Sequence, residues 1–96
     1  MHAVVRTYSG QSARALFDML EERKAEVESL IRSVLGFRAH TLLRTEDGGV
    51  TVTVCYDKTG TDECLQLALN WIAENAPDLA VASPSVSEGP VLLNLY

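Results

Sequence analysis

Between residues 37 and 60 the chain alternates twice about one turn, and the two sides of the alternation carry different chemistry. Phe37, Ala39, Thr41, Leu43, Val50, Val52 and Val54 share one side. Arg38, His40, Leu42, Arg44, Thr51, Thr53 and Cys55 share the other. A period of two over this length predicts a pair of half-buried strands. Asp47-Gly48 predicts a tight type I′ turn between them, because both central positions need φ > 0. That turn sets Thr45 opposite Val50, Leu42 opposite Thr53 and His40 opposite Cys55. A Gly48-Gly49 turn would move the partners by two residues and leave each face intact.

Residues 2 to 8, HAVVRTY, are β-branched and apolar and run into Ser9-Gly10, which predicts a first strand. The period then becomes helical from Ser12 to Leu35, through Leu16, Met19, Leu20, Val27, Leu30, Ile31 and Val34. Ser12 is the expected N-cap and Gly36 the expected C′ residue. The apolar stripe lapses over residues 21 to 24, EERK, where a bend or break is expected. A second helix is expected after Thr61 as cap, with Asp62 and Glu63 in its positive first turn. Leu65, Leu69, Ile72 and Ala76 form its expected buried stripe, and Pro77 ends it. Residues 77 to 90 are irregular by pattern, and residues 91 to 96, VLLNLY, read as a closing strand.

The order is βαββαβ, which predicts an α+β, ferredoxin-like fold: a four-stranded antiparallel sheet with two helices on one face. Strands one and three take the centre. The expectation is that Ala3, Val5, the strand-three valines and Leu93 face the helices. Val4, Arg6, Tyr8, His40, Leu42, Thr51, Thr53, Cys55, Leu92, Asn94 and Tyr96 then occupy the opposite face. A solvated face should look charged, and this one is half apolar with Arg6 as its central charge. A second copy packed sheet to sheet is the economical cover, so a homodimer through that face is expected.

The totals narrow the class. At 96 residues one domain spanning 1–96 is expected, with 47% hydrophobic and 22% charged residues as in an ordinary soluble globular chain. Eight scattered cations against a net charge of -5 form no basic stripe, so nucleic acid is not expected as a partner. No apolar run approaches the ~20 residues a membrane helix needs, and no membrane partner is expected. Cys55 and Cys64 form neither a C-x-x-C pair nor a disulfide framework, so two free thiols in a reducing cytoplasm are expected.

GFRAHTLLR, followed by VTVTVCYDKTGTDE leading into a helix, resembles the dimeric α+β barrel superfamily, with Gly36-Phe37 and DKTGTDE as its most suggestive pieces. Relatives there include antibiotic-biosynthesis monooxygenase-like domains and haem-degrading monooxygenases. The resemblance covers nearly the whole chain. It implies two sheets facing each other across a dimer, with a small-molecule cavity between sheet and helices or at the interface. It further implies a cofactor-independent, monooxygenase-like enzyme acting on an aromatic or quinone-like molecule, with no cofactor. Haem-degrading relatives use a strand-one Asn, a helix Trp and a downstream His. Here the first strand offers Arg6 and Thr7, and no His follows Trp71.

Candidate site residues follow from the mixed face. His40 is the candidate catalytic group, because its ordinary pKa lies near neutrality. Arg6, Tyr8, Thr53, Cys55 and Trp71 are candidate substrate-binding residues. Arg6, if buried, needs an accepting partner: the carboxylate of a ligand, a glutamate, or the Tyr96 terminus. His40 and Cys55, if paired, could favour a reactive thiolate, or could equally be a hydrogen-bonded histidine beside a small hydrophobe. Trp71 either orients a ligand or packs under the sheet. No metal-spacing motif, phosphate loop or nucleophile elbow is present, and no metal is expected. The alternative to the enzyme is a non-enzymatic dimeric ligand-binding or accessory protein.

Overall fold

The computed structural model describes residues 1–95. Strand β1 (His2–Ser9) leads into α1 (Gln11–Glu22) and α2 (Lys24–Arg32). A hairpin of β2 (Phe37–Thr45) and β3 (Gly48–Cys55) follows, then α3 (Lys58–Asn75) and β4 (Ser85–Pro90). All pairings are antiparallel in the order β2-β3-β1-β4, so β1 and β3 are central as the pattern predicts. The fold is the expected α+β, ferredoxin-like one. The first helix is divided at Arg23 (φ -111°, ψ 29°), inside the EERK lapse where no apolar side chain holds the chain to the core. Helix α2 ends at Arg32 with Ser33 as its C-cap, so the helix stops short of Leu35 and Gly36 is not its C′ residue; the φ of 87° at Gly36, which a side chain resists, serves the turn into β2.

Three local expectations are corrected. Thr45 pairs with Gly48, Leu42 with Thr51 and His40 with Thr53, so the turn is Glu46-Asp47 and the register moves by two residues. Gly48 and Gly49 serve the seat of α1 rather than the turn. A Cβ on Gly48 would come within 2.8 Å of the Ala13 Cβ, and one on Gly49 would run into the Phe17 ring. Helix α3 starts before Thr61: Asp57 is its N-cap, accepting a hydrogen bond from the Gly60 N–H at 3.1 Å. Its inward stripe is accordingly Thr61, Cys64, Ala68 and Trp71-Ile72, and Leu69 is half exposed. Similarly, α1 begins after Gly10, so Ser12 lies inside the helix rather than capping it.

The fourth strand is not the apolar segment 91–96. Ser85–Pro90 pairs with β1 instead, and Leu92, Leu93 and Leu95 stay exposed beyond it. An edge strand needs main-chain partners on one side only, so a polar run ending in proline suits it better than a hydrophobic one. Asn94 lies past the strand, and Tyr96 lies outside the described residues.

The largest correction concerns the faces. Alternation groups the residues as expected except for Phe37, which the bulge at Arg38 moves to the side of Cys55, but the helices cover the mixed face. Val4, Arg6, Thr51, Thr53 and Cys55 are buried, and Leu16, Phe17, Leu20, Val27, Ile31 and Cys64 pack over that side. Ala3, Val5, Ala39, Leu43, Val50, Val52 and Val54 make up the other face, which no element covers. The period of two fixes which residues share a side, and it carries no information about which side the helices choose.

Candidate functional site

Burial of the mixed face brings polar groups under an apolar roof. Arg6 and Tyr8 from β1, His40 and Leu42 from β2 and Thr51 from β3 form the floor of a recess of about 40 Å³. Leu16 and Leu20 of α1, Val27 and Ile31 of α2, and Ala68 and Trp71 of α3 form its walls. A wider cleft of about 530 Å³ adjoins it between α2 and β2, sharing Val27, Ile31, His40 and Leu42 and adding Phe37, Lys24, Glu28 and Arg32. The Arg23 guanidinium lies 5.1 Å from the Trp71 ring centroid and so ties the α1–α2 junction to α3. Tyr8 is held from the α1 side, its ring 5.8 Å from that of Phe17.

Arg6 and Thr51 are cross-strand partners and are 4% and 7% exposed. Among the described residues neither the Arg6 Nε–H nor the Thr51 hydroxyl has a hydrogen-bond partner. Buried polar groups are nearly always paired, and an uncompensated buried cation costs several kcal/mol, on the order of 3 or more. Two unpartnered polar groups thus belong to residues lining one recess.

His40 shares a hydrogen bond of 2.8 Å between its Nδ1 and the Thr53 hydroxyl. Burial, reinforced by the Arg6 guanidinium, pushes the imidazole down to about 4. It is thus neutral at physiological pH and oriented by Thr53.

Of the residues singled out from sequence, Arg6, Tyr8, His40 and Trp71 meet at the recess. Thr53 acts one step back, through His40. Cys55 does not join them. The bulge at Arg38 sets Phe37 opposite Cys55 and leaves Thr53 facing His40, so the His40–Cys55 pair does not form. Cys55 lies instead under α3, its Sγ 3.7 Å from that of Cys64, and neither residue is exposed. Burial raises both thiols, Cys64 to about 12, so neither is a nucleophile at neutral pH. Thr51 was not singled out. It shared the mixed face, but only its position opposite Arg6 reveals it, and that pairing is a tertiary fact. Among the described residues no cluster of three metal-ligating side chains occurs, and no helix is long and apolar enough to cross a membrane.

No protein-family model and no curated protein matches the sequence. Solved structures do. The haem-degrader MhuD of Mycobacterium tuberculosis, with two haems bound in its active site, is 17% identical at a TM-score of 0.70, with 100% of each chain covered. A monooxygenase from the gene ActVA-Orf6 of Streptomyces coelicolor, in complex with nanaomycin D, is 19% identical at a TM-score of 0.60 over 97% of this chain and 91% of that one. SnoaB, a cofactor-independent oxygenase from Streptomyces nogalater, is 20% identical at 0.57, covering 98% and 93%. At such identities the likeness establishes the fold.

Proposed function

We propose, from the premise that this chain takes the dimeric α+β barrel fold of the antibiotic-biosynthesis monooxygenase-like superfamily, that it is a monooxygenase-like enzyme acting on a small oxygen-bearing aromatic or quinone-like molecule. The observation that supports this is the orphaned Arg6 Nε–H and Thr51 hydroxyl on the floor residues of a recess whose helical walls are apolar. The adjoining cleft, with Phe37, Val27, Ile31 and Leu42, suits a planar hydrophobic body, and Arg6 in the recess suits an electron-rich oxygen on it. Neutral His40 accepts a proton from the substrate's hydroxyl, and Arg6 stabilises the charge left on that oxygen. That charge also raises the imidazole's basicity as the proton moves, because it offsets the guanidinium that depresses it. The substrate then supplies the electrons that dioxygen takes.

Haem does not fit this recess. About 40 Å³ does not admit a macrocycle. No step is routed through haem.

Self-association is proposed through the open face of the sheet. That face presents Ala3, Val5, Ala39, Leu43, Val50, Val52 and Val54, with no charged side chain among them, and a second copy packed sheet to sheet covers it. The free thiols are in keeping with a reducing cytoplasm.

Thermal shift against hydroxyaromatic acids and quinones tests the premise. A ligand at 100 times its Kd adds about 2.7 kcal/mol of stability. Arg6→Met should abolish the shift and leave the dimer folded, and His40→Ala should spare binding and reduce oxygen consumption. A hit that shifts the wild type and consumes no oxygen would leave the non-enzymatic ligand-binding protein as the better reading. The strongly depressed imidazole, a weak base, is the observation on that side.

A further inference from the structure

We infer that Cys55 and Cys64 form a reversible disulfide under two-electron oxidation by a hydroperoxide, and that this bond latches the start of α3 to the end of β3. The pair lines neither the recess nor the adjoining cleft, so the inference stands independently of the small-molecule reading above.

The fold brings the two thiols into contact. Cys55 ends β3, Cys64 stands in the second turn of α3, and the Tyr56-Asp57 corner joins the two elements. The sulfurs are 3.7 Å apart and share a hydrogen bond, and neither residue has exposed surface. A disulfide needs about 2 Å between its sulfurs, an approach within reach of side-chain rotation. Gly60 makes this proximity possible. A Cβ there would stand 2.8 Å from the Cys55 Cβ and 3.2 Å from its Sγ, so a side chain would push the first turn of α3 off the strand and part the sulfurs. Buried Thr61 braces the same turn, its hydroxyl donating to the Lys58 carbonyl at 3.0 Å. Packing alone asks only for a small apolar residue at each position. Two sulfurs in contact add the capacity for a bond.

The chemistry balances on two thiols and one peroxide. While α3 is seated, burial holds both thiols above their ordinary range, and a peroxide finds little thiolate. Brief opening of the first turn removes that protection. Its surface ties, from Lys58 to Glu88 of β4 and to Asp62, are exposed ion pairs and hold weakly. One thiolate then attacks a peroxide oxygen and the O–O bond breaks. The sulfur keeps that oxygen as a sulfenic acid, and the other oxygen leaves as hydroxide, which becomes water with the proton the thiol released. As the turn closes, the second thiol attacks the sulfenic sulfur, the S–O bond breaks, and a second water carries off the hydroxyl and the proton. Two thiols are oxidised and one peroxide is reduced to two waters. A resolving sulfur at contact distance stops the oxidation short of sulfinic acid. The consequence runs along one face of α3: Cys64, Ala68 and Trp71 fall at i, i+4 and i+7, so a bond at Cys64 pins the stripe whose later residues wall the recess.

The test treats the full-length protein with hydrogen peroxide, alkylates the remaining thiols with iodoacetamide in urea, and digests with trypsin, which cuts after Lys58 between the two cysteines. Peptides 45–58 and 59–96 should appear as one species, lighter than their sum by two hydrogens, and dithiothreitol should separate them. The oxidised protein should melt several degrees higher, and Trp71, the single tryptophan, should be less quenched by acrylamide. Asp57→Ala removes the N-cap of α3 and should speed the oxidation several-fold. Cys64→Ala should gain oxygen at Cys55 in place of the bond. Should either variant fail to fold, the wild-type peptides, melt and quenching decide. Unlinked peptides with both cysteines alkylated, or with sulfinic acid at either, overturn the disulfide, as does a bond between chains in place of one within the chain. Linked peptides with melting and quenching unchanged overturn the latch.

Discussion

Acidification should destabilise this protein through His40 before its carboxylates titrate. The imidazole sits at about 4 in the folded chain, against the ordinary value of 6.5 it regains on unfolding. Below 6.5 the unfolded chain therefore takes up a proton that the folded chain refuses, and stability falls with pH until the folded imidazole protonates near 4. The gap of about 2.5 pKa units corresponds to about 3 kcal/mol at 1.36 kcal/mol per unit. That is a large share of the 5–15 kcal/mol typical of a domain. Urea melts at half-unit pH steps from 7.5 to 4 measure it. His40→Gln, which keeps a polar group beside Thr53 and carries no titrating ring, should flatten the profile between about 6.5 and 4.5. Glu26 and Glu88 are held low by Arg23 and by His2 with Lys58, so their contributions are lost at lower pH and persist in the variant. If wild type and His40→Gln lose stability in parallel across that window, the imidazole is not desolvated as described.

The proposed dimer should be the state of the wild type in sedimentation equilibrium at micromolar concentration, and Val52→Arg, at the centre of the open face between Val5 and Thr41, should give a 10.5 kDa monomer, because a desolvated cation there has no partner. A persistent dimer would place the interface elsewhere. Gly49→Ala should cost about 1–3 kcal/mol in denaturant titration, since its methyl would enter the Phe17 ring. A neutral result would mean that α1 lifts from the sheet freely. Cys55 and Cys64 should resist iodoacetamide in native buffer and react fully in urea. Rapid native labelling would contradict their burial.

The pattern of the chain told much of this and missed in instructive places. Strand order and helix positions were legible because the periods of β1, α1, α2 and the hairpin are strong, and the EERK lapse marked the break at Arg23. Gly48-Gly49 misled the register, because a glycine signals φ > 0 and close packing alike, and here Ala13 and Phe17 require the second. VLLNLY misled the last strand because hydrophobicity reports a wish for burial, whereas pairing with β1 required only a backbone that reaches. Arg6, Tyr8, His40 and Trp71 were recognisable as chemistry. Their convergence under the helices was not, since the valine face looked the better core. Thr51 was invisible for the same reason: its hydroxyl acquires meaning only opposite Arg6.

The inverted sheet acts as a partition one strand thick. Along β1, Val4 and Arg6 point into the protomer, and Ala3 and Val5 point away from it. Under the proposed function, neighbouring codons answer to different selective demands, ligand on one and assembly on the next, and each set can drift while the other is held. Substitutions at alternate positions should re-tune one property and spare the other. A deletion of one residue within β1 would exchange the two sets together, presenting a guanidinium to the partner copy and a valine to the ligand.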